Sequence, residues 1–185
     1  LVIIIRTIRP WYWIRFGWFL GSRIGHFSFD VENYLTEKKL GLHPKKGLDI
    51  FFYRWGKPAN EFFSKIVKRH LFINNLANSF YTANNWIPGG SKHTILPAMV
   101  RSGSRDLDCL FRKVGPQLKF TREEIDIGLS FLRSIGMNEN GKFVCLVARD
   151  SAYLSKDALH SRGNWDYHSY RDSDIDSYIE TTLAL

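Results

Sequence analysis

Three short stretches place proton-handling groups beside groups that can hold an anion. The first is "GSRIGH" (21–26). Gly21 and Gly25 let the backbone come close to a ligand, and a helix beginning here would offer N–H groups to an anion. Arg23 adds a fixed positive charge, and His26 can donate, accept or shuttle a proton near neutral pH. The same stretch also reads as an ordinary strand-to-helix turn. Its spacing is neither GxGxxG nor GxxxxGK[ST], so the dinucleotide fingerprint and the P-loop are both missing.

The second stretch is "ARDSAYL" (148–154). Arg149 suits a phosphate or carboxylate. Asp150 is either a general base or the partner that holds Arg149 in a structural ion pair. Ser151 lacks the G-x-S-x-G elbow of a hydrolase nucleophile. The third is "WDYHSYRDSD" (165–174). Here His168 and Arg171 flank Tyr170, with Tyr167, Asp166 and Asp172 close by. Tyrosine rings stack on sugars or bases, while Arg and His reach phosphate. A solvated loop is the competing reading. A metal site from His160, Asp166 and His168 has no recognised ligand spacing.

These residues need a scaffold. "WYWIRFG" (11–17) and "GLDIFFYRW" (47–55) read as strands, and "LFINN" (71–75) as a shorter one. "HFSFDVENYLTEKKLG" reads as a helix with Phe27, Val31, Tyr34 and Leu35 on one side and Gly41 at its end. "PANEFFSKIVKRHL" (58–71) is a second helix, with Pro58 at its start and Phe62, Ile66 and Val67 inward. Asn74 to Lys119 gives a turn signal at "IPGG" and a loop at "MVRSGSRDLD", with no clear element. "TREEIDIGLSFLRSIG" (121–136) carries a capping box at Thr121 and Glu124, an apolar side at Ile125, Leu129 and Leu132, and a stop at Gly136. "FVCLVA" (143–148) reads as a strand covered on both faces. A last helix begins at Ser173, with Asp176 in its first turn.

The alternation implies an α/β fold, a Rossmann-like three-layer domain with a largely parallel sheet. Such sheets bind ligands beyond the carboxyl ends of their strands. That rule picks out the loop at 21–26 and the polar region that follows 148. The domain is expected over residues 1–150, with a polar site loop and linker helix over 151–185.

Composition narrows the partners. The chain has 185 residues and a net charge of +8, with a pI near 9.6, 44% hydrophobic and 15% aromatic residues and a mean hydropathy of -0.23. That is a folded chain favouring anionic partners. Two distant cysteines, Cys109 and Cys145, suggest neither a disulfide framework nor zinc, and fit a reducing compartment. "LVIIIRTIRPWYWIRFGWFL" (1–20) is interrupted by Arg6, Arg9, Pro10 and Arg15, so it is neither a span nor a signal peptide. It reads as a buried strand with basic flanks, or as an interfacial anchor with Trp11, Trp13 and Trp18 at headgroup level. The basic residues are scattered and no RNP, KH or helix-turn-helix signature is present, which argues against nucleic acid. The opening at Leu1 and the close at "IETTLAL" read as a piece of a longer chain.

"SRIGHF", the "VENYL" helix, "FVCLVARDSAYL" and "YHSYRDSDIDSYI", in that order, resemble a family of bacterial glycosyltransferases linked to surface-polysaccharide synthesis. "LVARD" departs from the pattern, where a histidine is expected. The resemblance implies a GT-B enzyme with two Rossmann-like domains facing a cleft, of which this chain is the N-terminal, acceptor-side half. The helix at 174–185 would lead into the C-terminal domain that holds most of the donor site. The implied reaction moves a sugar from a nucleotide sugar to a saccharide or lipid-linked acceptor, in the cytoplasm or at the inner face of the membrane. It needs no cofactor and no bound metal. On residue chemistry, Arg23, Arg149 and Arg171 would hold the diphosphate or an acidic acceptor, with Gly25 giving close backbone approach. His26, Asp150 and His168 are the proton-transfer candidates. Tyr153, Tyr167 and Tyr170 would line the sugar cleft. The alternative is a basic, non-catalytic α/β module that sits on an anionic membrane surface or binds nucleic acid.

Overall fold

The computed structural model describes residues 1–138, 141–152, 156 and 166–184, with the backbone alone at Tyr167 and His168. The chain divides into two compact units, Leu1–Glu124 and Ile125–Leu185.

The first unit is built on two long strands. β1 (Trp13–Phe19) and β2 (Gly47–Tyr53) lie parallel, in register from Trp13 opposite Gly47 to Phe19 opposite Tyr53. β3 (Phe72–Ile73) flanks β2, and β4 (Thr94–Ile95) flanks β1, both parallel. The sheet order is β3-β2-β1-β4. Helices cover both faces, so this is the three-layer, Rossmann-like α/β fold, with an all-parallel sheet.

Alternation along the strands sorts the core. Phe19 and Phe51 point to one face and meet Phe27, Val31 and Tyr34 of α2 (Ile24–Lys39) and Val67 of α3 (Glu61–His70). Phe16, Trp18 and Phe52 point to the other face, against Ile5 of α1 (Val2–Thr7) and Ala77, Phe80 and Tyr81 of α4 (Ala77–Asn85). Because both faces are covered, β1 and β2 carry apolar side chains almost continuously. Gly17 makes room within this packing. A Cβ there would lie 2.6 Å from the Phe51 ring, which stacks on Phe19 at 4.7 Å between centroids.

Several sequence expectations shift. The N-terminal segment is a short helix followed by β1, rather than one strand. Asn60, not Pro58, starts α3, by accepting from Phe63 N–H at 2.8 Å. Phe63 packs inward, while Phe62 is exposed. Residues 74–119 contain α4, a 3-10 turn at Gly90–His93, β4, α5 (Ala98–Ser102) and α6 (Leu110–Val114).

α7 (Arg122–Ser134) begins with the expected capping box. Thr121 N–H donates to Glu124 at 2.8 Å, and Glu124 N–H donates to Thr121 Oγ1 at 3.3 Å. Gly136, at φ +88°, follows its end. Ile125 and Leu129, expected to face a core, are exposed.

The strand expected at 143–148 is absent: these residues are in neither helix nor strand. Phe143, Val144, Leu146 and Val147 are exposed. An apolar run has the composition of a strand, but a strand also needs a neighbour to pair its backbone. The last helix also starts later than expected. Asp174, not Ser173, caps a 3-10 turn at Ile175–Tyr178 by accepting from Asp176 N–H, and α8 (Ile179–Leu183) follows.

Candidate functional site

The order β3-β2-β1-β4 reverses direction between β1 and β4. Doubly wound sheets bind ligands at that switch point, beyond the carboxyl ends of the strands. Three loops meet there: residues 20–23 after β1, 54–60 after β2, and the segment from Leu96 to Ser104 after β4.

The β1 and β2 loops are tied by backbone bonds. Arg54 N–H donates to Phe19 C=O at 3.0 Å, and Ala59 N–H donates to Gly21 C=O at 2.8 Å. The β2 loop then presents a feature absent from the sequence reading. Trp55 is exposed and sits at φ +59°, a conformation costly for any residue but glycine. The Arg54 guanidinium lies 4.7 Å from the Trp18 ring and 4.8 Å from the Trp55 ring. Strained, ring-rich positions of this kind collect at functional sites.

The β1 and β4 loops meet through His26. Its Nδ1 lies 2.8 Å from Ser104 Oγ. Ser104 also has a positive φ, +55°, directly after Gly103 at +61°. Burial first, and then the neighbouring Arg23, lower the His26 pKa below the ordinary 6.5. The imidazole is therefore neutral at pH 7. With Nδ1 engaged by Ser104, Nε2 is the nitrogen left for a ligand hydroxyl.

Asp30, one helical turn after His26, is 1% exposed. Its Oδ1 accepts from Met99 N–H at 2.8 Å, which caps α5 from a neighbouring helix. Its Oδ2 has no hydrogen-bond partner among the described residues. Desolvation raises its pKa from 3.8 to about 6, against the lowering effects of Met99 N–H and Arg101. The folded protein thus keeps a proton that the unfolded chain has already released. Stability is undiminished below the unfolded value, falls as the pH climbs towards 6, and stays lower above it. At about 1.4 kcal/mol per pH unit, the loss is about 3 kcal/mol. Asp30→Asn retains the cap and lacks the proton. In urea titrations, the stability of wild type relative to Asp30→Asn should therefore fall by about 2 kcal/mol between pH 4 and pH 7. Parallel profiles for the two proteins would refute the raised pKa.

The remaining sequence candidates lie in the second unit. Arg149 and Asp150 do not follow a sheet strand, since none forms at 143–148. Arg149 still joins the two motifs of the sequence reading. Its C=O accepts from Ser173 N–H at 2.8 Å, and its Nε lies 3.9 Å from Asp172 Oδ1. Asp150 Oδ1 accepts from Ala152 N–H at 3.0 Å. Arg171 Nε donates to Tyr170 Oη at 2.8 Å, and Tyr170 is exposed. Residues 166–171 form a 3-10 turn. Tyr153 and His160 lie outside the described residues, as do the side chains of Tyr167 and His168.

No family model matches the chain, and no curated protein or solved structure matches it. Its chemistry is therefore argued from its own geometry. Among the described residues, no group of three or more His, Cys, Asp or Glu side chains is placed to hold a metal ion.

The sequence reading found Arg23, Gly25 and His26 by the glycine pattern of their loop. It missed Ser104, Trp55, Arg54 and Asp30. The only local signals for these were the tryptophan-glycine pair closing β2 and the Gly/Ser character of "RSGSRD". The second could not be read as a site without β4, which brings its loop to that of β1.

Proposed function

We propose that this protein belongs to a glycosyltransferase that moves a sugar from a nucleotide-sugar donor to a saccharide or lipid-linked acceptor in bacterial surface-polysaccharide synthesis. The observation carrying this reading is the juxtaposition of His26 and Ser104 over the switch point of an all-parallel sheet, with Arg23, Arg54 and Trp55 in the adjoining loops.

Each part has a use in glycosyl transfer. Neutral His26 accepts the proton of the acceptor hydroxyl through Nε2 as that oxygen attacks the anomeric carbon. Ser104 fixes the orientation of the ring. Arg23 and Arg54 offer positive charge to an acidic acceptor or to the departing diphosphate. Trp55 offers an exposed ring face to a pyranose. Arg149 and Arg171 of the second unit, as anion contacts, and Tyr167 and Tyr170, as ring surfaces, remain in the proposal on sequence grounds. Asp150, His168 and Tyr153 remain in the proposal on sequence grounds. Gly25 leaves the start of α2 open: a Cβ there would meet nothing within 4 Å.

The test is calorimetric titration of nucleotide sugars, and of oligosaccharide acceptors, into the purified protein. Binding of at least one class is expected. Trp55→Ala should weaken it about tenfold, since one ring stacking is worth about 1–2 kcal/mol. Its melting temperature should stay near wild type, because the lost ring is largely solvent-facing and alanine carries the same left-handed backbone cost as tryptophan. Failure of every nucleotide sugar and acceptor to bind would end the reading.

A further inference from the structure

One face of the first unit has a composition that water alone does not explain. The helical layer of α1 and α4, with the turn at Gly90–His93, comes from two acid-free stretches. No Asp or Glu occurs in residues 1–29 or 62–105. α1 buries Val2 and packs Ile5 against the sheet, yet turns Ile3 and Ile4 outward at 70% and 60% exposure. A water-facing helix side is ordinarily polar. Trp11 after α1 and Trp86 at the end of α4 are 77% and 83% exposed.

These residues are held in place. Arg6 of α1 donates to the C=O groups of Asn84, Ile87 and Pro88 at 2.8, 3.0 and 2.7 Å, which pins α1 to the turn that carries Trp86. The cations on this layer are also gathered. The Arg9 guanidinium lies 4.4 Å over the Trp13 ring, and Trp13 Nε1–H donates to Lys92 C=O at 2.9 Å.

We propose that this α1/α4 face rests on the surface of an anionic lipid bilayer. Ile3, Ile4, Trp11 and Trp86 enter the headgroup region, and Arg9 and Lys92 meet lipid phosphates. Exposed aliphatic residues, indole rings and cations without a carboxylate are what an interfacial surface needs. No helix among the described residues is long and apolar enough to cross a membrane, so the contact is with the surface. A second copy of the chain is a poor occupant, because two such faces would bring cation to cation with no acid to pair them. This inference is independent of the glycosyl-transfer reading.

The test is co-sedimentation of the 185-residue chain with phosphatidylcholine vesicles, with and without phosphatidylglycerol, across a salt series. Binding is expected to the phosphatidylglycerol vesicles, with a blue shift of tryptophan emission and weakening as salt rises. Arg9→Gln and Lys92→Gln should each cost about fivefold in partitioning. Trp11→Ser combined with Trp86→Ser should cost about tenfold or more. The substituted side chains are at the surface, and an unchanged melting temperature confirms folding. Absence of vesicle binding would overturn the proposal. So would equal binding to neutral vesicles, or binding indifferent to all four substitutions. Binding of a single-stranded oligonucleotide through Arg9 and Lys92 without vesicle binding would assign the face to nucleic acid instead.

Discussion

His26→Ala should lower turnover in sugar transfer by about 10²–10⁴-fold while leaving the fold intact. The magnitude is that of a lost general base, and the geometry supplies the reason to expect one. His26 is partly buried near the β1–β4 switch point, its Nδ1 is occupied by Ser104 Oγ at 2.8 Å, and burial together with Arg23 holds its pKa below 6.5. A base must be unprotonated before it can act, so the acid limb of kcat/KM against pH should lie below 6.5. His26→Gln separates proton transfer from positioning. Its amide can still reach Ser104, yet it cannot take a proton at working pH. It should be as slow as the alanine variant. A glutamine variant near wild-type turnover would make His26 a positioning residue only and return the base to Asp150 or His168.

The legibility of this chain follows the range of its interactions. β1, α2, β2 and α3 could be read because each is long enough for its apolar side chains to repeat at the period of its own geometry. β3 was legible as the short apolar run in "LFINN" (71–75), but β4 was not, because it is two residues long and exists by pairing with a neighbour. "TILP" has no periodicity to detect, yet β4 places the loop from Leu96 to Ser104 beside His26. "FVCLVA" erred in the opposite direction, with strand-like residues and no strand. The site shows the same division. Arg23, Gly25 and His26 share one loop-to-helix junction whose glycines stand out in sequence. Ser104 lies 78 residues from His26, and Trp55 becomes conspicuous only through its backbone angle. Asp30 has no local signal that sets it apart, because its burial is a tertiary fact. The capping box of α7 was legible because both partners lie within one helical turn.

The same contrast explains the largest expected loss of stability, at Asp49. Along β1 and β2 the interior run is apolar, and Arg15 opposite Asp49 is the exception. Arg15 donates twice to Asp49, Nε to Oδ1 and Nη2 to Oδ2, each at 2.7 Å. The two side chains are 10% and 13% exposed. Tyr34 Oη also donates to Asp49 Oδ2. Burial and the adjacent carboxylate raise the Tyr34 pKa well above the ordinary phenol value, so it remains a donor at working pH. The chain of contacts continues. Arg15 Nη1 lies 3.3 Å from His43 Nδ1, and His43 Nε2 lies 2.9 Å from Glu37 Oε2. Burial alone would raise the Glu37 pKa, but hydrogen bonds from His43, Arg101 and Asn33 outweigh it and hold the carboxyl below its usual value.

Asp49→Ala removes the acceptor at the centre of this network. It leaves a guanidinium and a phenol in the interior without their partner. Breaking one side of a buried pair costs about 3–5 kcal/mol, more than the pair contributes relative to an apolar core, because the stranded charge cannot recover its hydration. Urea unfolding of Asp49→Ala should show that loss. The double variant Arg15→Met with Asp49→Leu removes both charges and should recover most of it, leaving only the Tyr34 hydroxyl to find another partner. A single variant that unfolds at the wild-type midpoint would mean that Arg15 reaches water. A double variant as unstable as the single would mean that the carboxylate stabilises through Tyr34 rather than through Arg15.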